Sequence, residues 1–304
     1  MFLRIQYSGE TMKKMILYFL LLLFFCSILN GNTTIDASLS ALSLWINNLV
    51  PAFFFPLILV RLLTPYHLLY PLLKPLDVIL QKLFHMNAAA LETILTALLL
   101  GFPSSTLYLD EIAQNYHLKK QQYERLCYCC FLASPNFILI SLATIYSIRT
   151  ARLFFLVQLF SIITLLFLTR NAPLLFHSTH CSIAFMPQLK EAVKHSFHVL
   201  FMILAYLLMI YVAIDLIIII LPTTLKTPLK LLSEFSSGCF YLSTLPFSTF
   251  CQYLFIGVLL AYGGLCVHLQ ILSSVSQNFH YPTFLQYRIL HILLSLLFTY
   301  LLFV

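Results

Sequence analysis

Long apolar runs dominate the chain, and short groups of polar residues separate them. A helix needs about 20 residues to cross a hydrocarbon core of about 30 Å, and seven runs approach or exceed that length. The predicted spans are Met15–Leu29, Leu39–Leu63, Leu126–Ser147, Leu153–Thr169, His195–Leu221, Phe250–Leu272 and Phe284–Val304. We therefore predict an all-α integral membrane protein with about seven transmembrane helices.

Two features near the N-terminus leave alternatives open. Lys13 and Lys14 precede the first apolar run, which is typical of a signal peptide as well as of a first span. No clear small-x-small cleavage site follows, so we favour an uncleaved span. A polar turn is expected at Asn30–Asp36. The stretch Pro65–Met86 contains several prolines and charges, and it is predicted to lie in the membrane interface.

Four interruptions divide apolar stretches into shorter pieces. Asn87–Gln114 is broken by GFPSS at Gly101–Ser105, and Leu229–Pro246 by Ser236–Gly238. For both stretches we expect a re-entrant hairpin that returns to its own side, although a full crossing is also compatible with the pattern. Two predicted spans are broken as well, one at Ser134–Asn136 and the other at Gly263–Gly264.

The two halves of the chain repeat one order of elements: span, broken hairpin, broken span, span. The predicted organisation is an N-terminal transmembrane anchor (1–37), a first repeat (38–170), a connector (171–194) and a second repeat (195–304). Three crossings per half is an odd number, so the second repeat is expected to be inverted. Twelve basic residues then fall inside and four outside, in accord with the positive-inside rule. The twelve are Arg4, Lys13, Lys14, Arg61, Lys74, Lys82, Lys119, Lys120, Arg125, Arg170, Lys190 and Lys194; the four are Arg149, Arg152, Lys226 and Lys230.

Composition excludes a water-soluble fold. Hydrophobic residues make up 61% of the chain and charged residues 9%, against about 25% charged in soluble domains. The net charge of +7 comes from scattered Lys and Arg without a nucleic-acid-binding motif, so no nucleic acid partner is predicted. The cysteines show no zinc spacing and are interpreted as small packing residues.

The interruptions are the predicted substrate-binding region, because irregular backbone inside a membrane is tolerated only against protein or a water-filled cavity. Paired broken helices in two halves indicate a transporter site near the midplane, although each break alone is also explained as a simple kink. The candidate binding residues are Gly101, Pro103, Ser104, Ser105, Ser134, Pro135, Asn136, Ser236, Ser237, Gly238, Gly263, Gly264, His268 and Gln270.

Two acids in the predicted hairpins, Glu92 and Glu234, both precede the break and lie 11 and 12 residues before Pro103 and Pro246. Ionisable residues inside membrane segments tend to be functional. We predict that the two acids couple transport to a proton or cation, or else support the hairpins by hydrogen bonds. His268 is equally well explained as a packed, hydrogen-bonded histidine, and Asp215 as an acid that reaches the outer interface. The helix that starts at Asn136 presents unpaired N–H groups, which suits an anionic solute.

The chain contains no nucleotide-binding loop, no zinc-protease motif and no serine-hydrolase elbow. We therefore predict that it is not an enzyme and that it needs no cofactor or metal.

Six stretches follow one another in the order of a known family, and the most specific is GGLCVHLQ within the fifth. They are LWINNLVPAFFFPLILVRLL (Leu44–Leu63), LLLGFPSSTLYLDEI (Leu98–Ile112), ERLCYCCFLASPNFI (Glu124–Ile138), SEFSSG (Ser233–Gly238), LLAYGGLCVHLQILS (Leu259–Ser273) and YRILH (Tyr287–His291). The chain thereby resembles the sporulation integral membrane proteins of the YlbJ type, which carry the nucleoside-recognition Gate domain. It departs from the family pattern at Ser105, where the family has a glycine, and at Phe131–Pro135, where the family has an amide and a glycine.

The resemblance implies a Gate-type inverted-repeat fold in a bacterial cell membrane. It also implies export of dipicolinate from the mother cell across the outer forespore membrane. A carrier of a nucleoside-like solute, a non-transporting scaffold for spore assembly and an energy-coupled pore subunit remain alternatives. Expected partners are the lipid bilayer, a small anionic or nucleoside-like solute, and either a second copy of the chain or other sporulation membrane proteins.

Overall fold

The computed structural model describes residues 2–176, 184–275 and 279–304, with side chains from residue 14 onward. Residue 1 of the predicted anchor, residues 177–183 of the predicted connector and residues 276–278 of the second predicted repeat lie outside these ranges, as do the side chains of Arg4 and Lys13.

The described residues are almost entirely helical and contain no strand beyond an isolated bridge between Met86 and Leu174. Five of the described helices are long and apolar enough to cross a membrane: Gly31–Tyr66, Ile148–Leu168, Phe185–Ile220, Thr249–Ser274 and Tyr281–Phe303. Large apolar side chains are exposed over much of their outer surface, as expected for helices that contact lipid. The prediction of an all-α, multi-pass membrane protein is confirmed at this level.

Two of the seven predicted spans are absent from these five helices. The first lies in a helix that runs from Phe2 to Leu29, but its apolar part, Met15–Leu29, is only 15 residues long. The predicted span Leu126–Ser147 is divided by non-helical backbone at residues 131–134, so neither piece has the length to cross alone.

Residues 2–176 form ten α-helices: α1 Phe2–Leu29, α2 Gly31–Leu44, α3 Val50–Leu63, α4 Tyr70–Leu73, α5 Asp77–Phe84, α6 Ala88–Leu100, α7 Ser104–Asn115, α8 Lys120–Cys130, α9 Leu142–Ile145 and α10 Ile148–Leu168. A π-helical turn, Trp45–Leu49, joins α2 to α3 just before Pro51, and another, Phe137–Ser141, precedes α9. Short 3-10 turns lie at Thr64–Tyr66 and Lys74–Leu76.

The predicted polar turn at Asn30–Asp36 is wrong. Only Asn30 leaves the helical conformation, and α2 begins at Gly31. The Thr34 hydroxyl donates to the carbonyl oxygens of Ser27 and Asn30, so this polar side chain is satisfied within helical backbone.

Residues 184–275 and 279–304 form six further helices: α11 Phe185–Ile220, α12 Thr223–Ser233, α13 Phe235–Ser243, α14 Thr249–Tyr262, α15 Gly264–Ser274 and α16 Tyr281–Phe303. Their order of long helix, divided pair, divided pair and single helix matches the order from α2 to α10.

The two longest helices, Gly31–Tyr66 and α11, pack side by side in opposite directions. Trp45 Nε1 donates to the carbonyl oxygen of Leu200 at 2.9 Å, and Gln188 Nε2 donates to that of Arg61 at 3.1 Å. Residue numbers rise along one helix as they fall along the other, so the pair is antiparallel.

The last helices of the two halves, α10 and α16, also pack in opposite directions. The ring centroids of Phe154 and Phe303 lie 4.8 Å apart, and those of Phe160 and Phe298 lie 5.7 Å apart. The residue numbers therefore rise along α10 as they fall along α16. Gln158 Nε2 donates to Ser295 Oγ at 3.2 Å inside this interface.

Candidate functional site

The break at Gly101, between α6 and α7, lies against the break near Ser134, after α8. Gly101 has φ +65° and ψ 170°, a conformation accessible essentially only to glycine. A Cβ at Gly101 would lie 2.6 Å from the backbone nitrogen of Ser134. The N–H of Phe102, which precedes the cis peptide bond to Pro103, donates to the carbonyl oxygen of Leu132 at 2.9 Å. The break between α6 and α7 is thereby joined to the break after α8.

The break in the second predicted hairpin lies against the break at Gly263–Gly264. It occurs at Glu234 and not at Ser236–Gly238, so its predicted position is wrong. Helix α12 ends at Ser233, Glu234 separates it from α13, and Ser236, Ser237 and Gly238 lie within α13. The Glu234 carboxylate accepts from the N–H groups of Ser236 and Ser237 at 3.0 and 2.7 Å, and from the Ser236 hydroxyl at 2.6 Å. It therefore starts a new helix at this point. A Cβ at Gly264, the first residue of α15, would lie 2.9 Å from the backbone nitrogen of Phe235.

Phenylalanine rings join the two pairs of breaks. The ring of Phe102 stacks on that of Phe131 and meets that of Phe235 edge to face, with centroids 4.8 Å apart in both cases. Phe137 packs against Phe235 at the same separation. A Cβ at Gly263 would lie 3.2 Å from the Phe131 ring. All four interruptions therefore meet in one region.

A small central cavity lies where the breaks meet. Its volume is about 30 Å³, and its lining includes Leu49, Phe102, Ile203, Glu234, Phe235 and Gln270. A buried water needs about 10–15 Å³ by this kind of measure, so the cavity has room for one or two waters but not for an organic solute.

A larger cavity, vestibule A, lies near the end of α3. It encloses about 510 Å³ and is lined by residues that include Arg61, Tyr108, Glu111, Asn115, Tyr116 and Gln188. The Arg61 guanidinium and the Glu111 carboxylate form a bidentate ion pair. Arg61 Nη1 donates to Glu111 Oε2, and Nη2 donates to Oε1 at 2.8 Å. This pair links α3 to α7 at the cavity wall.

A second cavity, vestibule B, lies near the other end of α11. It encloses about 200 Å³ and is lined by residues that include Ser40, Tyr211, Asp215, Lys230, Ser237 and Tyr241. Lys230 Nζ lies 3.3 Å from Asp215 Oδ1 and links α12 to α11. Asp215 therefore has a cationic partner.

The predicted binding residues are brought into one region, but few of them reach a cavity. Pro103 and Gln270 line the central cavity, and Ser237 lines vestibule B. Glu234, predicted for coupling or hairpin support, also lines the central cavity. Ser105 lines a separate void of about 10 Å³. Ser104, Ser236 and Gly238 are buried, whereas Pro135 and Asn136 are half-buried.

The predicted free N–H groups near Asn136 are partly used. Ser134 Oγ accepts from the N–H of Phe137 at 3.2 Å, which is a local cap of the helix that begins there. The N–H groups at the start of α13 are likewise occupied by Glu234.

His268 and Glu92 make contacts typical of structural residues. The ring of His268 donates from Nε2 to the Tyr262 carbonyl oxygen at 3.0 Å, so Nδ1 accepts from the Tyr281 hydroxyl at 2.8 Å. Glu92 is buried within α6, away from the break.

The Glu92 carboxylate accepts from the backbone N–H groups of Leu69 and Tyr70, both at 3.1 Å, and lies 2.8 Å from His67 Nδ1. It therefore fixes the start of α4 onto α6, whereas Glu234 caps a helix directly at a break. The two acids do not occupy matching places.

Cysteine side chains contribute to packing. Cys127, Cys129, Cys130, Cys239 and Cys266 are buried. Within the described part of the chain, no three His, Cys, Asp or Glu side chains come together in a group that could hold a metal ion.

The sequence did not indicate two features of the site. The first is the ion pair between Arg61 and Glu111, which joins positions 50 residues apart. The other is the set of phenylalanine rings at the breaks, which no local pattern distinguishes among 28 phenylalanines.

The chain matches no protein-family model, no curated protein and no solved structure. We therefore argue function from the cavities and contacts of this chain.

Proposed function

We propose that the protein is a membrane carrier that moves a small solute between vestibules A and B. The observation that carries this proposal is the order of the three cavities along the two antiparallel long helices. Along α11, Gln188 lines vestibule A, Ile203 the central cavity and Asp215 vestibule B.

The other long helix has the reverse order, as an antiparallel neighbour requires. Ser40 lines vestibule B, Leu49 the central cavity and Arg61 vestibule A. Gln188 and Asp215 are 27 residues apart in one helix, which corresponds to about 40 Å at 1.5 Å per residue. This exceeds the hydrocarbon thickness of about 30 Å, so the two vestibules suit opposite faces of a bilayer.

The half-helices α7 and α13 lead from the central cavity to vestibules A and B, respectively. In α7 the chain passes from Pro103 at the central cavity to Glu111 at vestibule A. In α13 it passes from Phe235 at the central cavity to Tyr241 at vestibule B. Broken helices that meet between two aqueous cavities are the arrangement of secondary transporters.

The closed centre favours a carrier over an open pore. The central cavity holds about 30 Å³, whereas a drug-sized solute needs about 300 Å³ or more. Passage therefore requires a conformational change that opens one vestibule to the centre at a time.

We further infer that the two halves are inverted repeats with re-entrant hairpins at α6–α7 and α12–α13, and that the chain crosses the membrane seven times. The matching order of elements and the antiparallel packing of both long helices and of α10 with α16 support this topology. It also agrees with the excess of basic residues on one predicted face.

The sequence resemblance supports a member of the YlbJ-type sporulation family in the outer forespore membrane, with dipicolinate as the first solute to test. A nucleoside-like solute is the second. None of the contacts at the three cavities suggests a chemical reaction, so we infer a transporter and not an enzyme.

Solute flux into proteoliposomes tests the proposal directly. Ser237→Cys, in vestibule B, followed by a bulky thiol reagent should abolish flux because the adduct fills the cavity. Asn115→Cys should do the same in vestibule A. Flux of radiolabelled dipicolinate and uridine is the measurement.

Two neighbouring positions supply matched controls. Ser243→Cys lies on the same helix as Ser237, and Gln114→Cys is adjacent to Asn115, but neither position lines a vestibule. Both modified controls should retain flux. Absence of flux for every solute in the unmodified protein would instead favour the scaffold.

A further inference from the structure

Two phenylalanines, one from each predicted hairpin, meet between the vestibules. Phe102 directly follows Gly101 at the first break, and Phe235 directly follows Glu234 at the second. Their rings touch edge to face with centroids 4.8 Å apart, and both line the central cavity. Each predicted hairpin thus places a phenylalanine next to its break.

Each of these two rings also packs against a further phenylalanine ring. Phe131 stacks on Phe102 with centroids 4.8 Å apart, and Phe137 packs against Phe235 at 4.8 Å. The guanidinium of Arg288 lies 4.5 Å from the centroid of Phe131, on the ring face, which is a favourable cation–π position. Both contact rings are therefore fixed by neighbours that do not line the central cavity.

Apart from Glu234 and Gln270, the other residues that line the constriction are apolar. Leu49 and Phe53 come from the middle of one long helix, and Ile203 and Leu207 from the middle of the other. Apolar constrictions close a path because water leaves them, even where no side chain forms a complete plug.

We propose that the rings of Phe102 and Phe235 form the gate that closes the solute path between vestibules A and B. This rests on the proposed carrier function and names the side chains that keep the two vestibules apart. Opening requires the backbone at Phe102, just before α7, to move away from the first turn of α13, which begins at Phe235.

A native cysteine reports on this gate. Cys266 lines the central cavity beside the two rings and is 1% exposed. The purified full chain in nanodiscs is treated with a charged, membrane-impermeant thiol reagent, and peptide mass spectrometry measures modification of each cysteine. Nanodiscs leave both faces of the protein open to the reagent. Cys251 is exposed and serves as the reference for full reactivity.

Phe102→Ala and Phe235→Ala should each raise the rate of Cys266 modification by roughly tenfold or more, because thiol modification depends on access. Phe235→Leu, which retains most of the apolar volume, should leave Cys266 protected. Phe154→Ala is the matched control. Phe154 is 0% exposed and packs on Tyr253 and Phe303, away from the three cavities.

Cys129, buried against Thr169, distinguishes a local opening from loss of structure. It should remain unmodified in every variant. If an alanine variant is not monodisperse, Phe102→Val or Phe235→Val replaces it, with the same expected direction. The proposal is overturned if Cys266 stays protected in folded variants of both phenylalanines, or if Phe154→Ala exposes it equally.

The labelling needs no solute, so it separates the two proposals. Cys266 exposure without solute flux would keep the gate as the barrier between the vestibules and remove the carrier. Flux with Cys266 protected in both phenylalanine variants would keep the carrier and remove this gate.

Discussion

Two arginines show how a cation is accommodated in the apolar interior without an acid as hydrogen-bond partner. Arg125 donates to the backbone carbonyl oxygens of Phe84, Leu166 and Ala172. Arg288 is 0% exposed and donates to the carbonyl oxygen of Phe131 at 2.7 Å, and to that of Tyr128. Carbonyl groups at helix ends carry partial negative charge, so they compensate these guanidinium groups, for which no carboxylate partner lies among the described residues.

Arg288→Met should lower the thermal stability of the detergent-solubilised protein. Met fills similar space but leaves the carbonyl oxygens of Tyr128 and Phe131 without a donor, at a cost of about 1–3 kcal/mol for each buried group. Arg152→Met is the control, because Arg152 is exposed on α10. The melting temperature should fall by several degrees for the first variant and stay near that of the wild type for the second.

An unchanged or raised melting temperature of Arg288→Met would also be informative. Removing a buried charge recovers its desolvation cost, which can exceed the hydrogen-bond energy. An Arg288→Met protein as stable as the wild type would mean that this recovered cost balances the lost hydrogen bonds, which would contradict the expected fall in melting temperature.

At the scale of helices, the first break depends on a glycine more strictly than any other position we describe. A Cβ at Gly101 would meet the backbone nitrogen, the Cα and the Cβ of Ser134 within 2.7 Å. Backbone atoms cannot rotate away as a flexible side chain can, so the two breaks would have to separate.

Gly101→Ala should therefore destabilise the protein by more than the 1–3 kcal/mol that the backbone conformation alone costs. Gly31→Ala is its matched control. A Cβ at Gly31 would meet nothing within 4 Å, and the residue lies in α2, where alanine is favoured by about 0.5–1 kcal/mol. Thermal unfolding of both variants measures the difference; equal melting temperatures would contradict the close contact at Gly101.

These elements also explain what the sequence could predict. Gly101 and Gly263 were predicted because glycine is rare in this chain and both interrupt apolar stretches. In the structure both have positive φ, which few other residues tolerate. The second break was misplaced because Gly238 resembles a breaker but lies inside α13. There it allows close packing, since its Cβ would lie 2.6 Å from the carbonyl oxygen of Leu231. The actual break depends on side-chain capping by Glu234, which composition does not indicate.

The candidate site was predictable as a region but not as a set of contacts. The four interruptions meet as expected, because irregular backbone inside a membrane needs other protein around it. Asn136 and His268 were chosen for their polarity, yet the closing contacts come from phenylalanine rings. Among so many apolar residues, only the tertiary arrangement distinguishes the ring of Phe102 from its neighbours.

At the scale of the whole molecule, the positions of the vestibules and the distribution of charge make one joint prediction. Vestibule A contains Arg61, which belongs to the twelve basic residues expected inside, and vestibule B contains Lys230, one of the four expected outside. The positive-inside rule then places vestibule A on the cytoplasmic face and vestibule B on the opposite face.

Sided labelling tests this arrangement with variants that do not require transport. In intact cells, a membrane-impermeant thiol reagent should modify Ser237→Cys and spare Asn115→Cys. In inverted membrane vesicles the pattern should reverse, because only vestibule A then faces the reagent. Ser243→Cys and Gln114→Cys report whether the surrounding helix ends are accessible from the same sides.

The possible patterns have different physical meanings. Exchange of the two sides would mean that a factor other than loop charge sets the orientation, while a path through the molecule would still exist. Modification of both cysteines from one side only would mean that both ends of α11 return to the same face. A helix whose Gln188 and Asp215 are separated by about 40 Å cannot do this while crossing the bilayer, so that result would remove the common basis of the carrier and of its gate.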